Sequence, residues 1–298
     1  MRAALAATLL LTAACGADDS MMTTPDAPTG SSDGSLSDGA GGCMRPALAQ
    51  TWLPTLLNDV ITNIPAPRAT GTQRTAARNY LQTQLTQMGW SPSLAAYSTG
   101  ANVVARIPAT VTTTKRIIVG AHFDTVSGSP GANDNATGTA AALAVARYLK
   151  DMTCRKVNVD IVFFDEEEVG LVGARAYSGA ITATADVIAV HTLDQLGYDN
   201  DNDHRFEIES PTNTLLAEYQ AAAGVVGVPV VKTTTMGTDH EAFRDDGFAA
   251  VGVTEEYVGG DTTPFRHLSG DTASTVKQSY LQLGAQLAAQ VVMTELTP

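Results

Sequence analysis

Basic residues and cysteines are scarce in this 298-residue chain. It has 18 Lys and Arg residues against 31 Asp and Glu, and its formal net charge is −13 at pH 7. An acidic surface repels phosphate backbones, so this balance argues against nucleic-acid binding. No two of the three cysteines lie at metal-ligand spacing, which argues against a cysteine-based metal site. The acidic excess by itself identifies no function, although a site with several carboxylates would contribute to it.

The sequence also lacks an apolar run long enough to span a bilayer. Residues 3–14 are largely apolar and follow Arg2, which is typical of a signal peptide. Ala13 and Ala14 precede Cys15 and resemble a bacterial lipoprotein processing site. Thr12 departs from the aliphatic residue usual at that position, so simple signal cleavage stays an alternative. We expect a signal peptide over residues 1–15, lipidation at Cys15, and export as a cell-envelope lipoprotein (outer membrane or periplasm) or as a secreted protein.

Large apolar residues are rare between residues 16 and 42. This segment is mostly Gly, Ser, Asp, Thr, Ala and Pro, with five aspartates and no basic residue. It cannot bury enough surface to offset the entropy of ordering, which predicts a flexible tether before a folded domain over 43–298. If Cys15 carries lipid, Cys43 and Cys154 remain as a pair in an oxidising compartment. We expect a disulfide between them.

Helical and strand patterns alternate along residues 43–298. This alternation predicts one domain, a three-layer α/β/α sandwich around a mostly parallel mixed sheet. The predicted helices cover residues 53–64, 73–88, 134–150, a segment starting near 169 or 171, 214–223 and 275–295. The predicted strands cover residues 102–107, 116–121, 157–164, 187–193, 206–209 and 249–253, with the first two as a hairpin.

Acidic and imidazole side chains follow three of the predicted strands. His122 and Asp124 follow the strand over 116–121, a run of four carboxylates over 165–168 follows the next, and Asp194 ends the third. Ligands of open α/β sheets bind outside the carboxyl ends of the strands. We therefore expect these side chains to meet at one edge of the sheet.

These residue types favour a pair of metal ions at that edge. Two neighbouring divalent ions need a bridging carboxylate, further N and O ligands, and room for water and substrate. Imidazole combined with carboxylate suits zinc better than calcium or magnesium. Considered alone, Asp134 would be read as a helix N-cap and Asp124 as an ordinary loop acid. Two residues after His122, however, Asp124 is placed to fix the tautomer of that imidazole.

Several short motifs occur together and in order. They are His122-Phe123-Asp124, Gly131 to Gly138, Glu167 to Leu171, Leu193-Asp194, and Arg266-His267 through Asp271-Thr272. From about Arg68 onward the chain resembles the bacterial leucyl aminopeptidase family of di-zinc exopeptidases. The resemblance implies a zinc exopeptidase (phosphorylase/hydrolase-like) fold, two Zn²⁺ per chain, and an aminopeptidase acting on peptides with a free N-terminus. Apart from this resemblance, we expect a monomer that contacts a membrane only through the lipid anchor at Cys15.

The same resemblance implies a role for each site residue. His122 and Asp194 would bind one zinc ion, Glu168 and His267 the other, with Asp134 bridging. Glu167 would be the general base, taking a proton from a water between the ions and returning it to the leaving amine. Asp124 would orient His122.

The segment over 238–243 has two interpretations. The family has a similar Asp-His pair near its site, which makes Asp239 or His240 a candidate supporting residue. Thr238 and Glu241 also fit a capping box at a helix start. Of the other histidines, we expect His191 to be packed within its strand and His204 to be solvated. The polar run over 199–203 could bind calcium, but it lacks the Gly and distal Glu of an EF-hand, which favours a solvated loop.

Three alternatives remain open at the level of sequence. A carboxypeptidase on the same fold would need a cation to bind the substrate carboxylate, for which Arg266 and Arg244 are the candidates. A glutaminyl cyclase typically uses one zinc ion, whereas the five ligands here indicate two. A non-catalytic binding ectodomain is disfavoured because the ligands and Glu167 are all present. The loop over 257–265 is the candidate pocket for the N-terminal residue of the substrate.

Overall fold

The computed structural model describes residues 36–38 and 42–298. The predicted signal peptide, Cys15 and most of the predicted tether lie outside these residues. Within the tether, β1 (Leu36–Asp38) pairs antiparallel with β2 (Cys43–Arg45). Cys43 and Cys154 form the expected disulfide, with their Cα atoms 5.3 Å apart. Among the described residues, no helix combines the length and apolarity needed to cross a membrane.

Eight further strands form one mixed sheet, and helices flank it on both faces. The strands are β3 (Ser93–Ala96), β4 (Ala101–Ile107), β5 (Arg116–His122), β6 (Asn158–Phe164), β7 (Val187–Leu193), β8 (Phe206–Glu209), β9 (Val230–Thr233) and β10 (Ala250–Thr254). The helices are α1 (Leu53–Asn63), α2 (Gly71–Gln87), α3 (Gly138–Asp151), α4 (Val172–Gly179), α5 (Asn213–Val226), α6 (Asp239–Asp245) and α7 (Gln278–Leu296). The strand order is β3-β4-β6-β5-β7-β10-β8-β9, and the four central strands are parallel. The predicted fold class is confirmed.

The predicted hairpin between residues 102–107 and 116–121 is wrong. β6 lies between β4 and β5, antiparallel to the former and parallel to the latter. Neighbouring strands are about 4.8 Å apart, so the connection over 108–115 easily crosses one intervening strand. β6 takes this place because its residues from Val159 to Phe164 are buried on both faces, and a central position covers both of them.

Each face of the sheet has its own apolar core. On β5, Ile117 and Val119 point into the larger core, which includes the buried faces of α1, α3, α5 and α7. Ile118 points to the opposite face, into a smaller core that includes Phe164 and, from α6, Phe243. This period-two alternation of apolar side chains is what a strand buried on both faces requires. The same alternation determines to which face of the sheet the side chain at each strand end points.

Candidate metal centre

The carboxyl ends of the parallel strands place the predicted site residues at one edge. His122 is the last residue of β5 and pairs in register with Phe164, the last residue of β6. The carboxylate run therefore begins beside His122. Asp194 directly follows β7, the other neighbour of β5.

Asp134 lies between two histidines that come from distant parts of the chain. Its Oδ1 is 3.4 Å from His122 Nε2, and its Oδ2 is 3.3 Å from His267 Nε2. Asp194 Oδ1 is also 3.4 Å from His122 Nε2, and Glu168 Oε2 is 2.9 Å from His267 Nε2. The structure thus brings all five predicted ligands together as two groups that share Asp134.

The donor atoms of these groups fit metal ions. Asp134 Oδ2, Asp194 Oδ1 and Glu168 Oε1 are buried and accept no hydrogen bond in the described part of the chain. Buried carboxylate oxygens without donors are costly unless a cation satisfies them. A mixed imidazole and carboxylate shell is one that zinc favours.

The backbone before α3 aims Asp134 into the site. The predicted helix start at residue 134 is wrong, since Asp134 and Asn135 have non-helical dihedral angles and α3 begins at Gly138. A side chain at Gly138 would collide with the Leu193 carbonyl, so glycine lets α3 begin against the end of β7. The Asp271 carboxylate accepts the Asp134 N–H at 3.0 Å and holds this segment. Asp134 is therefore not an N-cap.

Burial and the flanking imidazoles have opposite effects on Asp134. Burial alone would raise the pKa of its carboxyl group. The imidazoles of His122 and His267 outweigh burial, so the pKa lies below its usual range. The ionised form of Asp134 is therefore favoured, which suits a carboxylate placed between two ligand groups.

The four consecutive carboxylates divide into two pairs that face different partners. Arg74 of α2 contacts Asp165 Oδ1 and Glu166 Oε1, each at 2.7 Å, and Arg78 also pairs with Asp165. Glu166 has a φ of 61°, a turn conformation that redirects the chain after it. Arginines therefore relieve the repulsion between carboxylates at the first two positions of the run.

Asp124 supports the second pair. Its carboxylate accepts the backbone N–H groups of Glu167 and Glu168 at 3.0 and 3.2 Å, and its Oδ1 lies 3.5 Å from His122 Nδ1. One side chain therefore contacts both the β5 end and the turn after β6.

Several carboxyl groups of the site have raised pKa values. Burial, with added repulsion from neighbouring carboxylates, raises the pKa of Glu167 to about 10, of Asp239 to about 8 and of Glu168 to about 7. Glu167 Oε2 lies 3.9 Å from His122 Nε2. Cations bound among these oxygens would lower the pKa values, since they favour the ionised forms.

Asp239 and His240 face different surroundings. Asp239 is buried, interacts electrostatically with His122 and Asp194, and its Oδ1 has no hydrogen-bond partner among the described residues. His240 instead has Nδ1 2.8 Å from Thr238 Oγ1 and Nε2 3.1 Å from a backbone carbonyl. The capping box suggested by the sequence is absent, because no side-chain hydrogen bond caps α6.

Two buried supporting residues, Arg68 and Glu255, were not identified as such from the sequence. Arg68 is fully buried and donates to the Phe123 carbonyl and, at 2.7 Å, to the Gly131 carbonyl, which joins the two loops that carry His122 and Asp134. Glu255 accepts a hydrogen bond from Asn133 Nδ2 at 2.9 Å. Glu255 directly follows β10, so the strand-end rule that found the ligands could also have found it.

The remaining polar features lie elsewhere. His191 is buried in β7, as predicted, with Nδ1 3.1 Å from Tyr219 Oη and Nε2 3.0 Å from Glu295. The His204 side chain is 41% exposed, and its Nδ1 is 2.7 Å from Asp199 Oδ2. The same Asp199 oxygen is 2.6 Å from Lys277 Nζ, so one carboxylate of the 199–203 loop already has a cation.

An α/β/α sandwich with carboxylates and imidazoles at the carboxyl edge of its parallel strands defines a class of metal-site proteins. Within that class the chain belongs to Peptidase family M28, whose model matches residues 102–292. Aminopeptidase YwaD of Bacillus subtilis is 26% identical over 189 residues, which cover 59% of this chain and 40% of YwaD. The chain thus spans less than half the length of this curated relative.

Solved structures share the fold. The Legionella pneumophila LapA aminopeptidase superposes with a TM-score of 0.74 at 22% identity, covering 83% of this chain and 70% of that one. Porphyromonas gingivalis glutaminyl cyclase superposes with a TM-score of 0.68 at 19% identity, covering 82% of this chain and 97% of that one. At these identities the likeness shows the fold alone.

Proposed function

We propose that this chain is a zinc-dependent aminopeptidase that hydrolyses the first peptide bond of peptides with a free N-terminus. The observation that carries the proposal is the position of Asp134, whose two oxygens lie 3.4 and 3.3 Å from His122 and His267. One carboxylate shared by two ligand groups is the arrangement needed for two neighbouring metal ions. His122 and Asp194 would hold one zinc ion, Glu168 and His267 the other.

The chain's own residues supply the proton transfers and the binding of the substrate amine. Bound zinc would polarise the scissile carbonyl group and lower the pKa of the attacking water. Glu167 takes a proton from that water and passes it to the leaving amine, as a buried carboxylate beside the ligands can do. Asp239 Oδ1 has no hydrogen-bond partner among the described residues. Together with its acidic neighbours it favours a positively charged group, which the N-terminus of a peptide provides.

Two other enzymes with this fold are less well supported by the site. A glutaminyl cyclase with one zinc ion would leave one of the two ligand groups without a role. A carboxypeptidase needs a cation for the substrate carboxylate, and Arg266 lies beside the ligands, 3.5 Å from Asp134 Oδ2. The buried Asp239 Oδ1, which has no hydrogen-bond partner among the described residues, nevertheless favours a substrate amine at the site. A non-catalytic ectodomain would have no need of Glu167 beside the site.

We also propose that the protein is exported. The Cys43–Cys154 disulfide supports this proposal, because such bonds persist mainly in oxidising compartments. A lipid anchor at Cys15 rests on the sequence. Labelling with radioactive palmitate tests it, since a Cys15→Ala variant should take up no label.

The decisive experiment compares the wild type with Glu167→Gln on leucine p-nitroanilide, with zinc measured in both. We expect the variant to lose about 10²-fold or more in kcat, because an amide cannot accept the proton. It should retain about two zinc ions per chain, since Glu167 is not a proposed ligand.

Glu166→Gln is the matched control for loss of a charge in the same run. The Glu166 carboxylate contacts Arg74 and is not a proposed ligand or base, so its variant should lose less kcat than Glu167→Gln and keep about two zinc ions. Zinc-loaded wild type that releases no amino acid from any free-amine substrate would falsify the aminopeptidase proposal. Equal losses in the two variants would remove Glu167 as the base.

A further inference from the structure

Arg266 is a cation at a site otherwise dominated by carboxylates. Its Nε lies 3.5 Å from Asp134 Oδ2, and its side chain is 42% exposed. Over the described residues this is its only ion pair within 4 Å, and its guanidinium donates no hydrogen bond. The guanidinium therefore has unused donors that face solvent beside the site.

Metal binding would compete with Arg266 for Asp134, its ion-pair partner in the part of the chain that the structure describes. Asp134 Oδ2 is also 3.3 Å from His267 Nε2 and belongs to the ligand group of the second metal. A metal ion that takes this oxygen neutralises the charge that Arg266 faces. A guanidinium close to divalent cations is repelled unless an anion joins it. An anionic group of the substrate would supply that charge.

The neighbouring arginines cannot take this role. Arg244 donates through Nη1 to the carbonyl groups of Ser210 and Ala250. Arg68 is fully buried and donates to loop carbonyls. Of the two cation candidates identified in the sequence, Arg266 is thus the one that reaches the ligands and stays available.

We propose that Arg266 binds the C-terminal carboxylate of dipeptides and makes them the preferred substrate class; this rests on the proposed aminopeptidase function. In a dipeptide only N and Cα separate the scissile carbonyl carbon from the carboxylate carbon, a distance of about 3–4 Å. Each further residue moves the carboxylate roughly 3.5 Å away. A guanidinium beside the bridging ligand is therefore within reach of a dipeptide carboxylate. Its planar fork matches a carboxylate in a bidentate manner.

The first test measures kcat/KM of the zinc-loaded full chain for Leu-Ala and Leu-Ala-amide. The ratio of the two values is compared among wild type, Arg266→Lys and Arg266→Met, which cancels the intrinsic difference between the leaving groups. We expect Arg266→Met to lower the ratio about tenfold or more, which corresponds to about 1.4 kcal/mol. The ratio for Arg266→Lys should lie between those of the wild type and Arg266→Met, because lysine keeps the positive charge and loses the planar guanidinium. Arg147→Met, which removes an arginine paired with Asp151 on α3, should leave the ratio unchanged.

The second test measures binding without turnover. In the Glu167→Gln background, calorimetry should show Leu-Ala binding about tenfold or more tightly than Leu-Ala-amide, and Arg266→Met should abolish that difference. This measurement separates the two proposals. If the wild type hydrolyses no substrate, the proposed function fails, while the two dissociation constants still decide the role of Arg266.

Three results would overturn the inference. Arg266→Met could have the same ratio of kcat/KM values for Leu-Ala and Leu-Ala-amide as the wild type. The variant could lose equal activity on both substrates together with zinc, which would make Arg266 a support of the ligands. Leu-Glu-amide could be bound as tightly as Leu-Ala, which would assign Arg266 to an acidic side chain.

Discussion

At the scale of single residues, Asp134 joins the two halves of the site. Each of its oxygens lies near a different histidine, and the Asp271 carboxylate holds its backbone. Its ionised state is favoured because the imidazoles outweigh the effect of burial on its pKa. A side chain with one oxygen in place of two could lie beside only one of the two histidines.

Asp134→Asn should therefore lower the zinc content from about two ions per chain to one or fewer. The amide has one neutral oxygen and cannot bridge. Elemental analysis after gel filtration measures this directly. Asp245→Asn is a suitable control, since this exposed carboxylate pairs with Arg175 away from the ligands. Full zinc retention by Asp134→Asn would contradict the bridging role.

At the scale of elements, α2 determines how the turn after β6 presents its carboxylates. Arg74 holds Asp165 and Glu166, and the next two residues are then free to face the ligands. Burial raises the pKa of Asp165 to about 6 although Arg74 and Arg78 oppose it. Removal of one arginine would leave less positive charge beside the buried carboxylates of Asp165 and Glu166.

Arg74→Met should lower the free energy of unfolding by about 3 kcal/mol, because it breaks a largely buried ion pair. It should also reduce kcat about tenfold to a hundredfold, because the turn that carries Glu167 would shift. Urea denaturation and steady-state kinetics measure the two effects. Arg175→Met, at an exposed ion pair, should change stability by no more than about 1 kcal/mol. Equal effects of the two substitutions would show that the turn does not depend on α2.

A second contact between elements joins β7 to α7 through His191 and Glu295. Burial alone would lower the pKa of His191, but the Glu295 carboxylate, 3.0 Å away, raises it above the usual value. Burial and Glu295 also raise the pKa of Glu218 to about 7. Both groups therefore bind protons more tightly in the folded chain. Their contribution to stability is complete below the unfolded pKa of each group and is lost as the pH rises through the folded pKa.

Glu295→Gln should consequently flatten the fall in unfolding free energy between about pH 5 and pH 8. The variant keeps a hydrogen-bonding group and loses the charge that raises both pKa values. Urea denaturation over this range provides the slopes. Glu241→Gln, which removes a partly exposed charge on α6, should leave the slope as in the wild type. A steeper fall of the unfolding free energy with pH in Glu295→Gln would show that Glu295 does not raise the pKa values of His191 and Glu218.

At the scale of the whole molecule, the Cys43–Cys154 disulfide joins the start of the domain to the segment before β6. It closes a loop with a sequence separation of 111. A cross-link of this length restricts the unfolded chain and stabilises the folded one by about 2–5 kcal/mol. Neither cysteine is among the residues that contact the ligands.

The Cys43→Ala, Cys154→Ala double variant should lose about 2–5 kcal/mol of stability and keep its activity on leucine p-nitroanilide. Addition of reductant should bring the wild type to the stability of the variant. Denaturation in urea with and without dithiothreitol makes the comparison. A further loss in the reduced variant would show that reductant acts elsewhere in the chain.

Much of the fold was predictable because local patterns reflect burial. Strands β7 and β8 have the predicted bounds, since each is a short β-rich run flanked by polar residues. β3 and β9 were missed. They are short edge strands with at most one buried side chain each, so their sequences carry little periodic signal.

The sequence by itself determined the alternation of strands and helices, and from it the edge where His122, Asp194 and the carboxylate run meet. The reason is that parallel strands all end on the same side of a sheet. Tertiary structure alone decided three other points. It placed β6 between β4 and β5, it divided the carboxylate run between arginines and ligands, and it brought Arg266 rather than Arg244 to the site. Each of these points depends on which distant segments pack together. Hydrophobic periodicity could not predict them, because it describes only the face that a single segment buries.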